Sequence, residues 1–212
     1  IGYHLGVAVD FLFVPPHHRR ASLIASPFWR RSFFTLVLSL AATVAFAQDK
    51  PASNAFEPEV GQSGKDVVWV PTPQSLVDKM LDIAKVTPAD YVIDLGSGDG
   101  RTVITAAKRG ARALGIEYNP DMVALSQRNA AKEGMGEKAM FMKADLFETD
   151  FSQATVITMF LLPDINLKLR PKILGLKPGT RIVSNSFTMG EWQHDRSVQA
   201  TEAEGCQSYC TA

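Results

Sequence analysis

The chain has 212 residues, with 22 basic and 22 acidic side chains, and 46% of its residues are hydrophobic. This is enough for one domain with a substantial core. Because binding to phosphates requires a basic face, the neutral charge balance argues against nucleic acid as the main partner.

The first 65 residues are predicted to precede the folded domain. Residues 1–29 are interpreted as a non-native or unstructured leader. Residues 30–47 have two arginines, an apolar run and a small-x-small site, a pattern typical of a cleaved secretory signal peptide. Residues 48–65 are polar and contain prolines, which indicates a flexible lead-in. We therefore expect an exported, periplasmic protein that keeps no membrane insertion after cleavage, or a cytoplasmic one if the signal peptide is not real.

Residues 66–192 are predicted to form an α/β domain. In chain order we expect a helix starting at Thr72–Pro73, a strand at 90–94, a helix ending at Gly110, a strand at 113–117, a helix capped by Asn119 and ending at Gly134, strands near 141 and at 156–160, a helix at 165–174 and a strand at 181–186. Alternating strands and helices predict a Rossmann-like, doubly wound, mainly parallel sheet.

The tail, residues 193–212, contains Cys206 and Cys210, the only cysteines of the chain. Their spacing permits a disulfide in an exported protein, but two unpaired thiols are the favoured interpretation. Two cysteines without a nearby histidine do not form a zinc site, so no metal is predicted.

A glycine-rich turn follows the first predicted strand, in the run Val92 to Arg101. Glycine occupies every second position from Gly96 to Gly100, and it tolerates the positive φ of a tight strand-to-helix turn while letting a ligand approach the backbone. The N-terminus of the following helix offers free N–H groups. This combination is typical of a site for a nucleoside-bearing cofactor.

Acidic residues end three successive predicted strands. Asp94 ends the first, Glu117 follows it by 23 positions at the end of the second, and Asp145 follows the third. An acid about 20 residues after a glycine-rich turn commonly binds ribose hydroxyls. Since the carboxyl ends of parallel strands meet at one edge of a sheet, the three acids are expected to converge on one nucleoside.

These motifs resemble a known family. The segments D-L-G-S-G-D-G (94–100), G-I-E-Y-N-P (115–120) and A-D-L-F (144–147) look like those of class I, seven-strand, S-adenosylmethionine-dependent methyltransferases. Three further segments narrow the likeness to small non-SET protein-lysine methyltransferases: W-V-P-T-P (69–73), V-I-T-M-F-L-L-P (156–163) and L-K-P-G-T-R-I-V-S (176–184). Within that group, the chain resembles the methyltransferases related to the mitochondrial enzymes that modify the ATP synthase c-subunit and the adenine nucleotide translocase.

The resemblance implies S-adenosylmethionine as cofactor and a lysine side chain of a protein as methyl acceptor. It assigns cofactor contacts to Thr72, Asp94, Gly96, Ser97, Gly98, Gly100, Glu117, Asp145 and Leu146. The three glycines would form a backbone floor under the methionine portion, and Asp94 would orient the turn or meet the cofactor's amino group through water.

At the other end of the cofactor, the resemblance implies that Glu117 binds the ribose diol. Asp145 would accept from the adenine amine, with Leu146 against the ring, while Thr72 and Trp69 would close the site. For the acceptor the resemblance names no catalytic residue, and Phe160 either lines a lysine channel or belongs to the core.

The resemblance also implies how the fold ends. The family fold closes with a strand pair, but only 26 residues follow Ser186, so we expect a truncated chain and five strands with one open edge.

Other interpretations stay open. Asp94 could cap the following helix, and Glu117 could be a solvated strand-end acid. A non-catalytic, exported Rossmann-like binding module is the main alternative function, and an NAD-binding oxidoreductase is a weaker one because the third glycine comes one position early for G-x-G-x-x-G. A P-loop at residues 61–65 is rejected because Asp66, not Ser or Thr, follows Lys65.

Overall fold

The computed structural model describes residues 56–212. The predicted leader and signal peptide lie outside these residues. The helices are α1 (Gln74–Ile83), α2 (Arg101–Lys108), α3 (Pro120–Lys132) and α4 (Pro163–Leu174), and the strands are β1 (Tyr91–Leu95), β2 (Arg112–Glu117), β3 (Ala139–Lys143), β4 (Val156–Met159) and β5 (Arg181–Ser184). Their sequence order confirms the predicted α/β alternation.

The five strands form one sheet in the order β3-β2-β1-β4-β5, and every neighbouring pair is parallel. The predicted Rossmann-like parallel sheet of five strands is therefore confirmed for the described part of the chain. The strand order reverses between β1 and β4. In open α/β sheets, ligands bind outside the carboxyl ends of the strands at such a reversal.

Both faces of the sheet are covered. On one face Val92 packs with α1 and α2 through side chains such as Leu76 and Val103. On the other face Ile93 packs with α4 through side chains such as Leu169. Alternate residues of β1 thus enter opposite layers, as the two-residue period of a strand requires. Burial on both faces holds β1, and with it Asp94, in a fixed position.

Local signals account for most element boundaries. Asn119 caps α3 by accepting a hydrogen bond from the backbone N–H of Asp121 at 2.9 Å, and Pro120 is the first helical residue. β5 ends at Ser184, two residues earlier than predicted, because Ser186 turns into a left-handed conformation with φ 60°.

The tail packs on the domain and contains a disulfide. Cys206 and Cys210 are bonded, with their Cα atoms 5.9 Å apart, so the prediction of two unpaired thiols was wrong. Backbone hydrogen bonds tie both cysteines to neighbouring residues: the Cys206 N–H donates to the Thr201 carbonyl at 3.1 Å, and the Cys210 carbonyl accepts from the Ala200 N–H at 2.8 Å. The two cysteines are thereby brought within disulfide range. Cys206 is buried in the core.

None of the helices within residues 56–212 has the length and apolar character that crossing a membrane requires.

Candidate active site

The glycine turn between β1 and α2 forms one wall of a cavity at the carboxyl ends of the strands. Gly98 has φ 54°, and a Cβ atom there would lie 2.8 Å from Nε1 of Trp69, so this position requires glycine. The turn is also held from α3, where the buried Ser126 hydroxyl donates to the Gly98 carbonyl at 2.7 Å. The floor of the site is therefore fixed before any ligand binds. Sequence reasoning missed Ser126, which carries no motif.

Asp94 lies beneath this floor, 6% exposed. Its Oδ1 accepts a hydrogen bond from the Thr158 hydroxyl of β4 at 2.6 Å. Burial is the main cause that raises the pKa of Asp94 to about 7. The bond from Thr158 opposes the shift, and the nearby charges of Asp99 and Glu117 add to it. Near neutral pH this carboxyl group is thus poised between its two protonation states.

Glu117, the last residue of β2, lies on the same side of the sheet as the glycine turn. Its Oε2 accepts from the backbone N–H of Gly98 at 3.0 Å, and its Oε1 accepts from the backbone N–H of Asn119 at 2.9 Å. Each carboxylate oxygen retains a further lone pair, so both can still accept from a diol. The predicted convergence of Glu117 and Gly98 on one site is confirmed.

Asp145 and Leu146 follow β3 and line the same cavity. Oδ1 of Asp145 accepts from the backbone N–H of Phe147 at 2.9 Å, and Oδ2 pairs with Nζ of Lys65 at 2.5 Å. The hydrogen bond from Lys65 lowers the pKa of Asp145, and the one from Phe147 adds to the effect. Nζ of Lys65 also lies 4.6 Å from the ring centroid of Tyr118. Sequence reasoning considered Lys65 only as part of a P-loop and missed this pair.

The segment before α1 covers the glycine turn. Backbone hydrogen bonds link Gly61 to Trp69 at 2.8 Å and Trp69 to Gln62 at 2.9 Å, which makes residues 61–69 a hydrogen-bonded turn. Thr72 is buried at the cavity wall, where its carbonyl accepts from Arg101 at 2.9 Å. Both residues expected to close the site, Trp69 and Thr72, lie in it.

Eight of the nine residues assigned to the cofactor line this cavity. Gly100 does not: it caps α2 with φ 84°, and a Cβ there would lie 2.7 Å from the Phe141 ring, so it serves packing and not the floor. Ser97 lines the cavity, but its hydroxyl packs toward Gly115 of β2 and its backbone N–H donates to the Ile116 carbonyl at 3.1 Å.

The opposite end of the cavity is apolar. Phe160, Leu161 and Leu162 follow β4, Phe187 follows β5 and Tyr209 comes from the tail. The cavity therefore joins a polar end, with the carboxyl groups of Asp94, Glu117 and Asp145, to an aromatic end. A nucleoside-bearing cofactor and an apolar acceptor side chain fit this division.

Known proteins resemble this chain in sequence and structure. Residues 94–196 match the family described as "ANTKMT methyltransferase domain". A protein-lysine N-methyltransferase of Saccharolobus islandicus is 47% identical over 139 residues, which cover 64% of this chain and 86% of that protein. The chain belongs to this methyltransferase family. The resemblance stated from the motifs is thereby confirmed.

Two further relatives extend the comparison. The ATP synthase C-subunit lysine N-methyltransferase of Homo sapiens is 38% identical over 105 residues, covering 49% of this chain and 45% of that protein. The match thus spans less than half of the human enzyme. The crystal structure of an RNA methyltransferase from Salinibacter ruber in complex with S-adenosyl-L-homocysteine is 50% identical, with a TM-score of 0.60, and covers 62% of this chain and 87% of that one.

The protein is therefore an S-adenosylmethionine-dependent methyltransferase, and its residues fit that cofactor. The carboxylates of Glu117 and Asp145 suit the ribose hydroxyls and the adenine amine, and the turn at Gly96 and Gly98 offers a backbone surface. When bound, the cofactor supplies a methyl group made electrophilic by the sulfonium. The individual contacts stay predictions.

Proposed function

We propose that this methyltransferase modifies the ε-amino group of a lysine in a protein substrate. The observation that carries the proposal is the 47% identity to the protein-lysine N-methyltransferase of Saccharolobus islandicus over 86% of that protein. The name of the human relative also specifies lysine as acceptor.

The apolar end of the cavity supports this acceptor. A lysine nitrogen attacks only as the neutral amine, and an environment such as that of Phe160 and Leu161 disfavours the charged ammonium. The methylene stem of lysine gains from contact with apolar side chains. Since the departing sulfur needs no proton, alignment and exclusion of water supply the acceleration. This agrees with the failure of the sequence to indicate an acid–base pair.

RNA is the competing acceptor, because the Salinibacter ruber protein is named an RNA methyltransferase. The balance of 22 basic and 22 acidic residues favours a protein, since RNA binding requires a basic surface.

A labelling experiment separates the two. The full chain is incubated with methyl-tritiated S-adenosylmethionine in two parallel reactions. One reaction contains bacterial proteins as acceptors, and the other contains total RNA. We expect label in protein, recovered as methyl-lysine after acid hydrolysis, and loss of label with Glu117→Ala. Label confined to RNA, or to a protein residue other than lysine, would refute the proposal.

We further propose that the protein is exported. Two features support this: the signal-peptide pattern of residues 30–47, and the Cys206–Cys210 disulfide, because such bonds persist in oxidising compartments. Expressed in a Gram-negative bacterium, the chain should be recovered from the periplasm with Gln48 as its first residue. Leu38→Arg, which places a charge in the apolar run, should keep it in the cytoplasm. Equal cytoplasmic retention of both forms would contradict export.

A further inference from the structure

Three aromatic rings meet at the apolar end of the cavity. The ring centroids of Phe160 and Tyr209 are 5.2 Å apart, those of Phe187 and Tyr209 are 6.0 Å apart, and those of the two phenylalanines are 6.2 Å apart. All three line the cavity that also contains Asp94 and Glu117. They are therefore placed where an acceptor enters, opposite the cofactor end.

Two of the rings are set by the sheet. Phe160 directly follows β4. Phe187 follows β5, and its carbonyl accepts from the Ser184 hydroxyl at 2.6 Å and from Nδ2 of the buried Asn166 at 3.1 Å. These contacts hold the peptide of Phe187 against α4. Two walls of the acceptor end thus belong to the rigid core of the domain.

The third ring is set by the tail. Tyr209 lies inside the loop closed by the Cys206–Cys210 disulfide, and Cys206 anchors that loop in the core. Hydrogen bonds fix the chain after it, because the Thr211 carbonyl accepts from the Ser186 N–H at 2.7 Å.

The backbone of Tyr209 has φ 54°, a left-handed conformation that is unfavourable for a residue with a bulky side chain. Such a conformation persists only where the surroundings enforce it, and it is found preferentially at functional positions. The Tyr209 side chain is also 45% exposed, so burial of the ring in the core does not explain why the loop holds it there.

We propose that Tyr209 is a specificity-determining residue for the acceptor, that its ring contacts the lysine side chain together with Phe160 and Phe187, and that the Cys206–Cys210 disulfide holds it in place. The inference rests on the proposed function. Aromatic side chains cover the methylene stem of a lysine and keep water from its amine. The ring of Tyr209 is inclined by 58° and 55° to the two phenylalanines. The two phenylalanine rings are inclined by only 18° to each other, so Tyr209 supplies the wall that crosses them and narrows the space for the acceptor.

The disulfide makes the acceptor site sensitive to reduction. A dithiol such as dithiothreitol transfers two electrons and two protons to the bond, which leaves two thiols on the protein and a disulfide in the reagent. The loop that carries Tyr209 is then no longer closed. Reduction should weaken acceptor binding while the cofactor end, built from β1, β2 and β3, is retained.

The test uses the full oxidised chain, methyl-tritiated S-adenosylmethionine and a pool of nine-residue peptides with one central lysine. We expect Tyr209→Ala to raise the peptide KM about tenfold, whereas the Kd for S-adenosylhomocysteine, measured by calorimetry, changes by less than about twofold. Tyr209→Phe should recover most of the loss because it retains the ring. Dithiothreitol should raise the KM of the wild type but not that of Tyr209→Ala.

Trp192→Ala is the matched control, since Trp192 is an exposed aromatic of the C-terminal segment that lines a different cavity. An unchanged peptide KM in Tyr209→Ala, or an equal loss of cofactor affinity, would overturn the assignment while leaving lysine methylation intact. If the wild type methylates RNA or other residues but no lysine peptide, the proposed function fails, and this inference fails with it.

Discussion

The buried carboxyl group of Asp94 should make the stability of the protein depend on pH between about 4 and 7. Its pKa is raised from 3.8 to about 7, chiefly by burial. Below pH 3.8 the group is protonated whether the chain is folded or not, so it does not favour unfolding. As the pH rises toward 7, the unfolded chain ionises while the folded protein does not, and stability is lost.

The size of this loss follows from the shift. A pKa difference of one corresponds to about 1.36 kcal/mol, so the rise from 3.8 to about 7 lowers the free energy of unfolding by about 4 kcal/mol. The whole of this loss is reached once the pH exceeds 7. Asp94→Asn imitates the protonated acid and keeps an oxygen that can accept from Thr158. We therefore expect the variant to gain stability relative to wild type as the pH rises, and to match it near pH 4.

Urea unfolding, followed by circular dichroism between pH 4 and pH 8, measures this difference directly. Thr158→Val is the companion variant: removal of the donor to the ionised carboxylate should move the transition to higher pH, since that bond lowers the pKa of Asp94. Parallel stability curves for wild type and Asp94→Asn across this range would refute the reasoning.

Three more predictions concern single contacts. Glu117→Gln should weaken S-adenosylmethionine binding about tenfold or more in calorimetry, because a carboxylate that can accept from both ribose hydroxyls is replaced by a group with only one acceptor oxygen. Lys65→Met should tighten cofactor binding by about twofold to fivefold at low salt, since Lys65 competes for Oδ2 of Asp145. Arg181→Ala should lower the free energy of unfolding by about 1–3 kcal/mol, because Arg181 pairs with the buried Asp90.

Each has a control. Asp121→Asn, an exposed acid of α3, should leave cofactor binding unchanged, whereas an equal effect of both changes would remove the case for Glu117. For Lys65→Met, weaker binding in place of tighter binding would show that Lys65 holds the cofactor and does not compete with it. For Arg181→Ala, an unchanged urea midpoint would contradict the prediction, and Arg196→Ala, an exposed arginine, serves for comparison.

Much of the cofactor end was predictable because its signals are local. The turn at Gly96 and Gly98 depends on consecutive residues, so a short motif predicts it. The strand-end acids Glu117 and Asp145 have the spacing that one β-α-β unit requires. The parallel order follows from the alternation of strands and helices. Even the cap at Asn119 could be read from neighbouring residues, because a helix start depends on the few groups next to it.

Other features could be decided only by the tertiary structure, because they join residues distant in the chain. The bond from Thr158 that opposes the raised pKa of Asp94 spans 64 positions, and the Lys65–Asp145 pair spans 80. The aromatic trio depends on a tail that follows β5 and returns to the mouth of the cavity. No periodicity or motif in the sequence predicts these contacts between distant residues. They follow from how the sheet brings its strand ends together, and that depends on the packing of the whole domain.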